Sequence, residues 1–394
     1  MYLSQDEECM LQGEQGEVVQ RMFRLLVRLG DIYGADKMIP VGSVQVAGVS
    51  YKSIGEPGTL FLEDIALKGA KAQVLTFLNP AGMDLENWDA LHFPKDFAKN
   101  QLRIIDAFKK MGIIITATCT PYLAGNLPRF REHIAWSESS AVSFSNSVIG
   151  ARTNREGGPS ALAASLCGRT PRYGFHLWEN RQPSFHIHVD ANLSFNADFG
   201  ALGYHVGKIV KDKIPYFTGI VNADTDQLKA LGAAMAASGA VALYHIEGLT
   251  PEADLVEKKG LEKITVTQKN LDDTFDTLNE GTTPDIVILG CPHASLREIA
   301  SLAGKVKGKH LRKPVWICTS RMMKEAADRM GFSQIIESAG GHVVADTCMV
   351  VSPIEDMGYH QTGVDSGKAA NYLPGFCKQK VIFANIDELI EKVL

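Results

Sequence analysis

Three cysteines carry most of the chemistry that can be read from this chain. Cys119 stands in Thr118-Cys119-Thr120-Pro121-Tyr122, Cys291 in Gly290-Cys291-Pro292-His293-Ala294-Ser295, and Cys348 in Asp346-Thr347-Cys348. Apolar runs precede all three: Gly112 to Ala117, Asp285 to Gly290, and Gly341 to Ala345. The first two read as buried parallel strands, and ligands of open α/β sheets sit at the carboxyl ends of strands. Three thiolates delivered there from distant parts of one chain can hold an iron–sulfur cluster with one iron left for substrate. That is the equipment of a Lewis-acid dehydratase. A structural zinc site would show closely paired ligands, and no Cys-x2–4-Cys pair is present. On spacing alone, scattered small buried residues remain the plainer reading. Local context favours chemistry: Pro292 follows Cys291, and Thr120-Pro121 follows Cys119, as where a strand breaks into a loop. Cys9, Cys167 and Cys377 read as structural. Cys318 stays open, since it also ends a strand, and Thr319-Ser320-Arg321 after it resembles an anion-binding turn.

A second constellation runs from Asn146 to Ser160 and gathers Asn146, Arg152, Thr153, Asn154, Arg155 and the pair Gly157-Gly158 before a helix start. Arginine forks bind carboxylate or phosphate, and a helix N-terminus offers N–H groups to an anion. A solvated, turn-rich loop is the common alternative. Glu56, in Gly55-Glu56-Pro57-Gly58, and Glu63-Asp64 can supply a carboxylate, although acidic turn residues are usually just solvated. His186 and His188 share one strand face and read as satisfied strand histidines rather than ligands. A dinucleotide fingerprint and a Walker A motif are both missing.

The elements that must position these residues form a regular pattern. After Ser4, whose spacing to Glu7 makes a capping box, a helix begins. Short strands follow at Met38–Val41, Ser43–Ala47 and Gln73–Leu78, then a helix from Pro94 to Met111. From Phe217 the chain alternates: helix Asp226–Ser238, strand Ala240–His245, strand Lys263–Val266, the Cys291 strand, a helix from Ser295, strand Pro314–Cys318 and helix Ser320–Gly331. Such alternation argues for an α/β fold with parallel sheets flanked by helices. A chain of 394 residues is long for one core. Expected divisions are an N-terminal α/β region over 1–216, a Rossmann-like domain over 217–345, and a segment 346–394 that packs back onto both. A net charge of −5 gives no reason to expect nucleic acid or an anionic membrane. No apolar run reaches membrane-spanning length and the N-terminus lacks signal-peptide character, so a cytoplasmic location is expected. Seven cysteines are too few for a disulfide framework.

Over essentially its whole length the chain resembles the aconitase X family, the divergent branch of the aconitase superfamily. The stretches that carry the resemblance are Thr118 to Tyr122, Asn146 through Pro159, Gly290 to His293, Asp346 to Cys348, and Ser366-Gly367-Lys368. It implies an aconitase-like catalytic core with Cys119, Cys291 and Cys348 as ligands of a [4Fe-4S] cluster that leaves one iron open. The swivelling small domain, whose serine acts as base, is expected on a separate small subunit, because the sequence ends at Leu394 right after the last catalytic motif. Two activities are known in the family. Archaeal two-subunit members dehydrate 5-phosphomevalonate to trans-anhydromevalonate 5-phosphate in an isoprenoid route, and bacterial members dehydrate cis-3-hydroxyproline. The two-subunit format favours the first. Glu56, Arg152, Thr153, Asn154, Arg155, Ser320, Arg321 and Ser366 are then candidates to bind substrate. Asn146, His293, Asp346 and Lys368 are candidates for catalytic or ligand-orienting roles. A cluster-free binding or scaffold subunit is the alternative from another class; a cysteine hydrolase has less behind it, since only Cys291 and His293 pair a thiol with an imidazole.

Overall fold

The computed structural model describes residues 1–394. Its first unit begins with helix Gln5–Gln12, where the Ser4 N–H donates to Glu7 at 2.8 Å and Gly13 ends the helix in the left-handed conformation. Helix Glu17–Ile32 buries Met22, Phe23 and Leu26 on one face. A three-stranded parallel sheet follows, in the order Leu75–Leu78, Ser43–Val46, Ala135–Trp136. Its hydrophobic core joins side chains of helices Tyr51–Leu67, Lys95–Lys110 and Gly158–Cys167 to the middle strand.

Two further parallel sheets, with a two-stranded antiparallel ribbon of Met38–Pro40 and Arg169–Pro171, make up the rest. Strands His245–Ile246, Pro215–Thr218, Phe185–Asp190 and Glu262–Thr267 form one, in that order. The last sheet has five strands in the order Gly341–Ala345, Val315–Thr319, Ile286–Leu289, Gln361–Val364, Lys380–Phe383. Counted along the chain that order is 3-2-1-4-5, so the winding direction reverses between Ile286–Leu289 and Gln361–Val364. All five run parallel, and therefore every loop that follows a strand emerges on the same edge.

Two expected strands are shorter than their apolar runs suggest. The segment before Cys119 makes one isolated parallel bridge, Phe77 with Ile114. Beyond it the Thr116 hydroxyl bonds both the N–H and the carbonyl of Leu78 at 3.2 Å, and Ala117 turns the chain at φ +40°. A side chain thus replaces the ladder. Between Ala240 and His245 only His245 pairs as strand, because Ser147 accepts the Tyr244 N–H at 2.8 Å and Asn146 donates to the Ala242 carbonyl at 2.9 Å. His186 and His188 both face the Thr218 hydroxyl, at 2.9 and 3.2 Å, as satisfied strand histidines.

Candidate active site

The loops after the strands of the five-stranded sheet bring Cys291, Ser320, Cys348, Ser366 and Lys368 to one edge. Gly290 makes the exit after Ile286–Leu289 possible. It sits at φ +84°, and a Cβ there would lie 2.1 Å from the Cys318 carbonyl oxygen, which accepts the Ala294 N–H at 2.9 Å. Cys119 arrives from the first unit. The two units are stitched by backbone bonds in which Ala81 donates to Asp346 at 2.8 Å and Cys348 donates to Ala81 at 2.9 Å.

His293 ties the three cysteine loops together. Its backbone N–H donates to the Cys119 sulfur at 3.1 Å, its Nδ1 meets the Thr118 hydroxyl at 3.0 Å, and its Nε2 donates to the Thr347 carbonyl at 2.8 Å. The ring is 1% exposed, and burial pushes its pKa down to about 4, so it is neutral at physiological pH. With Nε2 donating, Nδ1 accepts from Thr118. One imidazole therefore fixes a residue beside each of Cys119 and Cys348 while standing two residues after Cys291.

The thiols share one electrostatic environment. Burial pushes all three up, Cys291 to about 12, and the Lys368 ammonium opposes that at each of them. The Val350 and Val351 N–H groups face the Cys348 sulfur, and the Ser366 hydroxyl faces Cys291. Cys119 and Cys291 are buried and Cys348 is partly exposed, which puts the mouth of the site at Cys348. No three His, Cys, Asp or Glu side chains close around one point tightly enough for a single metal ion.

Lys368 stands at the second position of helix Gly367–Cys377, and its ammonium meets the buried carboxylate of Glu138 and, at 3.2 Å, the Ser140 hydroxyl. Burial alone would lower the lysine's pKa and raise the glutamate's, but their mutual attraction wins and both are charged. Glu138 caps helix Ser139–Phe144 by accepting the Ala141 N–H at 2.9 Å, and the Ser140 hydroxyl also donates to it.

Comparison with known proteins places the chain. It matches the profiles of the aconitase X first domain over residues 1–179, second domain over 183–276 and third domain over 284–394. This chain belongs to the aconitase X family. It is 55% identical to the phosphomevalonate dehydratase large subunit of Methanocaldococcus jannaschii, over 99% of this chain and all of that one. The protein of the same description from Methanothermobacter thermautotrophicus is 50% identical, over 99% and 98%. The cis-3-hydroxy-L-proline dehydratase of Pseudomonas aeruginosa is 33% identical, over 98% of this chain and 68% of that protein. The crystal structure of Thermococcus kodakaraensis aconitase X in its holo-form superposes with a TM-score of 0.95, at 46% identity and complete coverage of both chains.

Within this aconitase X fold the residues singled out from sequence fall into three groups. Cys119, Cys291, Cys348, His293, Ser366 and Lys368 converge. Asp346 and Arg321 lie beside them but engage one another: Arg321 bridges Asp346 and Asp84, the latter at 2.6 Å. Asp84 in turn accepts the Ala345 N–H at 3.1 Å. Burial raises the Asp346 carboxyl to about 6 against the pull of Arg321, and its backbone is left-handed at φ +60°. Ser320 caps its helix by accepting the Met323 N–H at 3.2 Å.

The Asn146–Ser160 loop is occupied with itself. Asn146 donates to the Thr153 and Ala242 carbonyls and accepts from Thr153 and Arg181, while Asn154 bonds the backbone of Tyr173 and Phe175. Thr153 accepts the Trp136 N–H at 3.1 Å. Arg152 reaches the His176 carbonyl at 3.3 Å. Arg155 is exposed, with no protein partner. Glu56 is not brought to the site: its carboxylate is held bidentately by Arg103 at 2.9 and 3.0 Å, on the helix pair Tyr51–Leu67 and Lys95–Lys110. Cys318 lies fully buried within its strand.

Sequence reading missed Glu138, Ser140, Thr118, Thr347 and Lys229, the last a buried lysine that donates to the His293 carbonyl at 3.1 Å. The signal for Glu138 is weak: a glutamate three residues before the amide it caps. A cavity of about 230 Å³ opens at the switch point, lined among others by Leu289, Gly290, Asp365, Glu298, Asp226 and Arg297. Arg297 is spent on Asp224 and Asp226, both at 2.7 Å, and burial raises Asp365 to about 7. Its carboxylates make it a poor place for an anion, in contrast to the Lys368 side.

Proposed function

We propose that this chain is the large, catalytic subunit of a phosphomevalonate dehydratase, a hydro-lyase that removes water from 5-phosphomevalonate to give trans-anhydromevalonate 5-phosphate in an archaeal-type mevalonate route. The carrying observation is the likeness, at 47–55% identity over at least 95% of this chain, to four archaeal proteins described as phosphomevalonate dehydratase large subunits. The name of those relatives points to a small subunit as partner. Cis-3-hydroxyproline dehydratases lie further off, at 31–33%. No helix is long and apolar enough to cross a membrane.

Cys119, Cys291 and Cys348 would hold an iron–sulfur cluster, read as [4Fe-4S]. The donor set fits. Three thiols converge beside a fixed cation, and backbone N–H groups and a hydroxyl face the sulfurs. Bound there, the cluster would act as a Lewis acid toward the departing hydroxyl. The chain's own residues do the rest. His293 holds the cysteine loops in register. Lys368 supplies a positive charge for the substrate's carboxylate, and the exposed, unpaired Arg155 is the candidate for a second anionic group. A base on the small subunit takes the proton next to the carboxylate.

The test is anaerobic co-expression with the small subunit, iron loading, and incubation with 5-phosphomevalonate and cis-3-hydroxyproline side by side. Dehydration of the phosphate ester, absent in Cys119→Ala, supports the assignment. Turnover of hydroxyproline alone overturns the substrate, and full activity with no bound iron overturns the cluster.

A further inference from the structure

We infer that Glu138, with Ser140, is a positioning residue that holds the Lys368 ammonium so that its remaining N–H faces the cysteine site and binds the substrate's carboxylate. The inference deepens the dehydratase reading and rests on it for the identity of the carboxylate. Lys368 is 7% exposed, and Glu138 is 8% exposed. An ammonium has three N–H donors. Those of Lys368 find two protein acceptors, the Glu138 carboxylate and the Ser140 hydroxyl, both on one short segment 230 and 228 residues away. The third finds none, and no cysteine sulfur lies within hydrogen-bonding reach of Nζ.

A buried N–H donor to spare is costly unless an acceptor completes it, and a carboxylate oxygen is the strong acceptor for an ammonium. Its surroundings say where that group sits: the charge of Lys368 acts on Cys119, Cys291 and Cys348 alike. The N-terminus of helix Gly367–Cys377, capped by Ser366, adds its positive end at the same place. Glu138 does two things here. It keeps Lys368 charged in a buried site, and it restrains a flexible four-carbon stem to one direction, which reduces the ordering cost of binding. Because Glu138 itself caps Ser139–Phe144, its carboxylate is fixed by the first unit while Lys368 belongs to the last. The carboxylate pocket is thus assembled across the chain.

The experiment compares Glu138→Gln, Glu138→Asp and Lys368→Met with the unaltered chain, each as the iron-loaded complex with the small subunit. Three quantities are read: iron per chain with visible absorbance, thermal midpoint, and calorimetric affinity for 5-phosphomevalonate and for cis-3-hydroxyproline, both carboxylates. Lys368→Met is expected to weaken binding about 100-fold and Glu138→Gln about 10-fold, near 2.8 and 1.4 kcal/mol. Glu138→Asp should recover most of the loss, with iron content unchanged throughout. KM should rise more than kcat falls in Glu138→Gln. Equal affinity in Glu138→Gln and the unaltered chain overturns the inference. So does a variant that loses iron and thermal stability while its folded fraction binds normally, since that is the behaviour of a helix cap alone. If hydroxyproline binds and phosphomevalonate does not, the substrate assignment fails while the same comparison still decides the role of Glu138.

Discussion

Replacing His293 with alanine should loosen the cysteine site from its centre. The imidazole makes two buried hydrogen bonds, to Thr118 at 3.0 Å and to Thr347 at 2.8 Å, and the two partners are not equally exposed to its loss. Thr118 retains the Thr120 hydroxyl at 3.1 Å, so its share is small. The Thr347 carbonyl keeps no other partner and would be left buried and unsatisfied, at about 1–3 kcal/mol. The space vacated by the ring adds about 1 kcal/mol. The sum, about 2–4 kcal/mol by these values, falls on the contact that holds the Cys119 and Cys348 loops together. Chemical unfolding of the purified complex gives the stability difference, and the rate at which a ferrous chelator strips iron reports the proposed cluster site separately. Both should move, iron loss by tenfold or more, and His293→Gln should lie between, because its amide N–H can reach Thr347 from the Nε2 position while the Nδ1 position that meets Thr118 is left empty. Unchanged unfolding together with unchanged iron release in His293→Ala would refute the argument that this ring sets the register of the three loops.

Three further outcomes are expected. Arg155→Ala should raise KM for a phosphorylated substrate about tenfold while leaving the thermal midpoint alone, since the side chain is exposed and unpaired; an unchanged KM removes it from the binding surface. Glu252→Gln should cost about 3–5 kcal/mol in unfolding measurements, because it strands the fully buried Arg181 guanidinium, whose Nε donates to Glu252 at 2.7 Å; a loss below 1 kcal/mol would show that Asn146 and the backbone suffice. Burial holds His245 down at about 4 and His176 at about 3. Their unfolded forms protonate near 6.5 and their folded forms do not, so stability is present above pH 6.5 and is lost as pH falls toward 4 and 3. The full loss from His245 is about 3 kcal/mol. Asp365, raised by burial to about 7, acts in the opposite sense over the acid range, so the check is the difference between the chain and His245→Phe rather than the net profile. A difference that does not change with pH between 7 and 4 would show that His245 is protonated in the fold.

What the sequence alone determined was local. A cysteine followed by proline after an apolar run must leave a strand, and this placed Cys291 at its loop. The Ser4–Glu7 capping box and the helix starts at Ser295 and Ser320 were likewise legible, because a helix start is settled within four residues. The cysteine triad itself came from the family resemblance together with that local context; Cys291 and Cys348 meet because the loops of an all-parallel sheet share one edge, and Cys119 joins them only because the first unit docks there through the Ala81 backbone bonds to Asp346 and Cys348. Apolar runs overstated the strands at Ile113–Ala117 and Ala240–His245, since pairing depends on which side chains arrive to satisfy the backbone: Thr116 in one case, Asn146 and Ser147 in the other. Charge partners were not legible at all. Arg321 reads as a free anion binder in its own turn, yet Asp84, 237 residues earlier, takes up its guanidinium. Glu56 reads as an available carboxylate until the neighbouring helix brings Arg103. Lys368 and Glu138 illustrate the general reason: an ion pair is chosen by proximity in space, and 230 residues of intervening chain leave no trace of it in either neighbourhood.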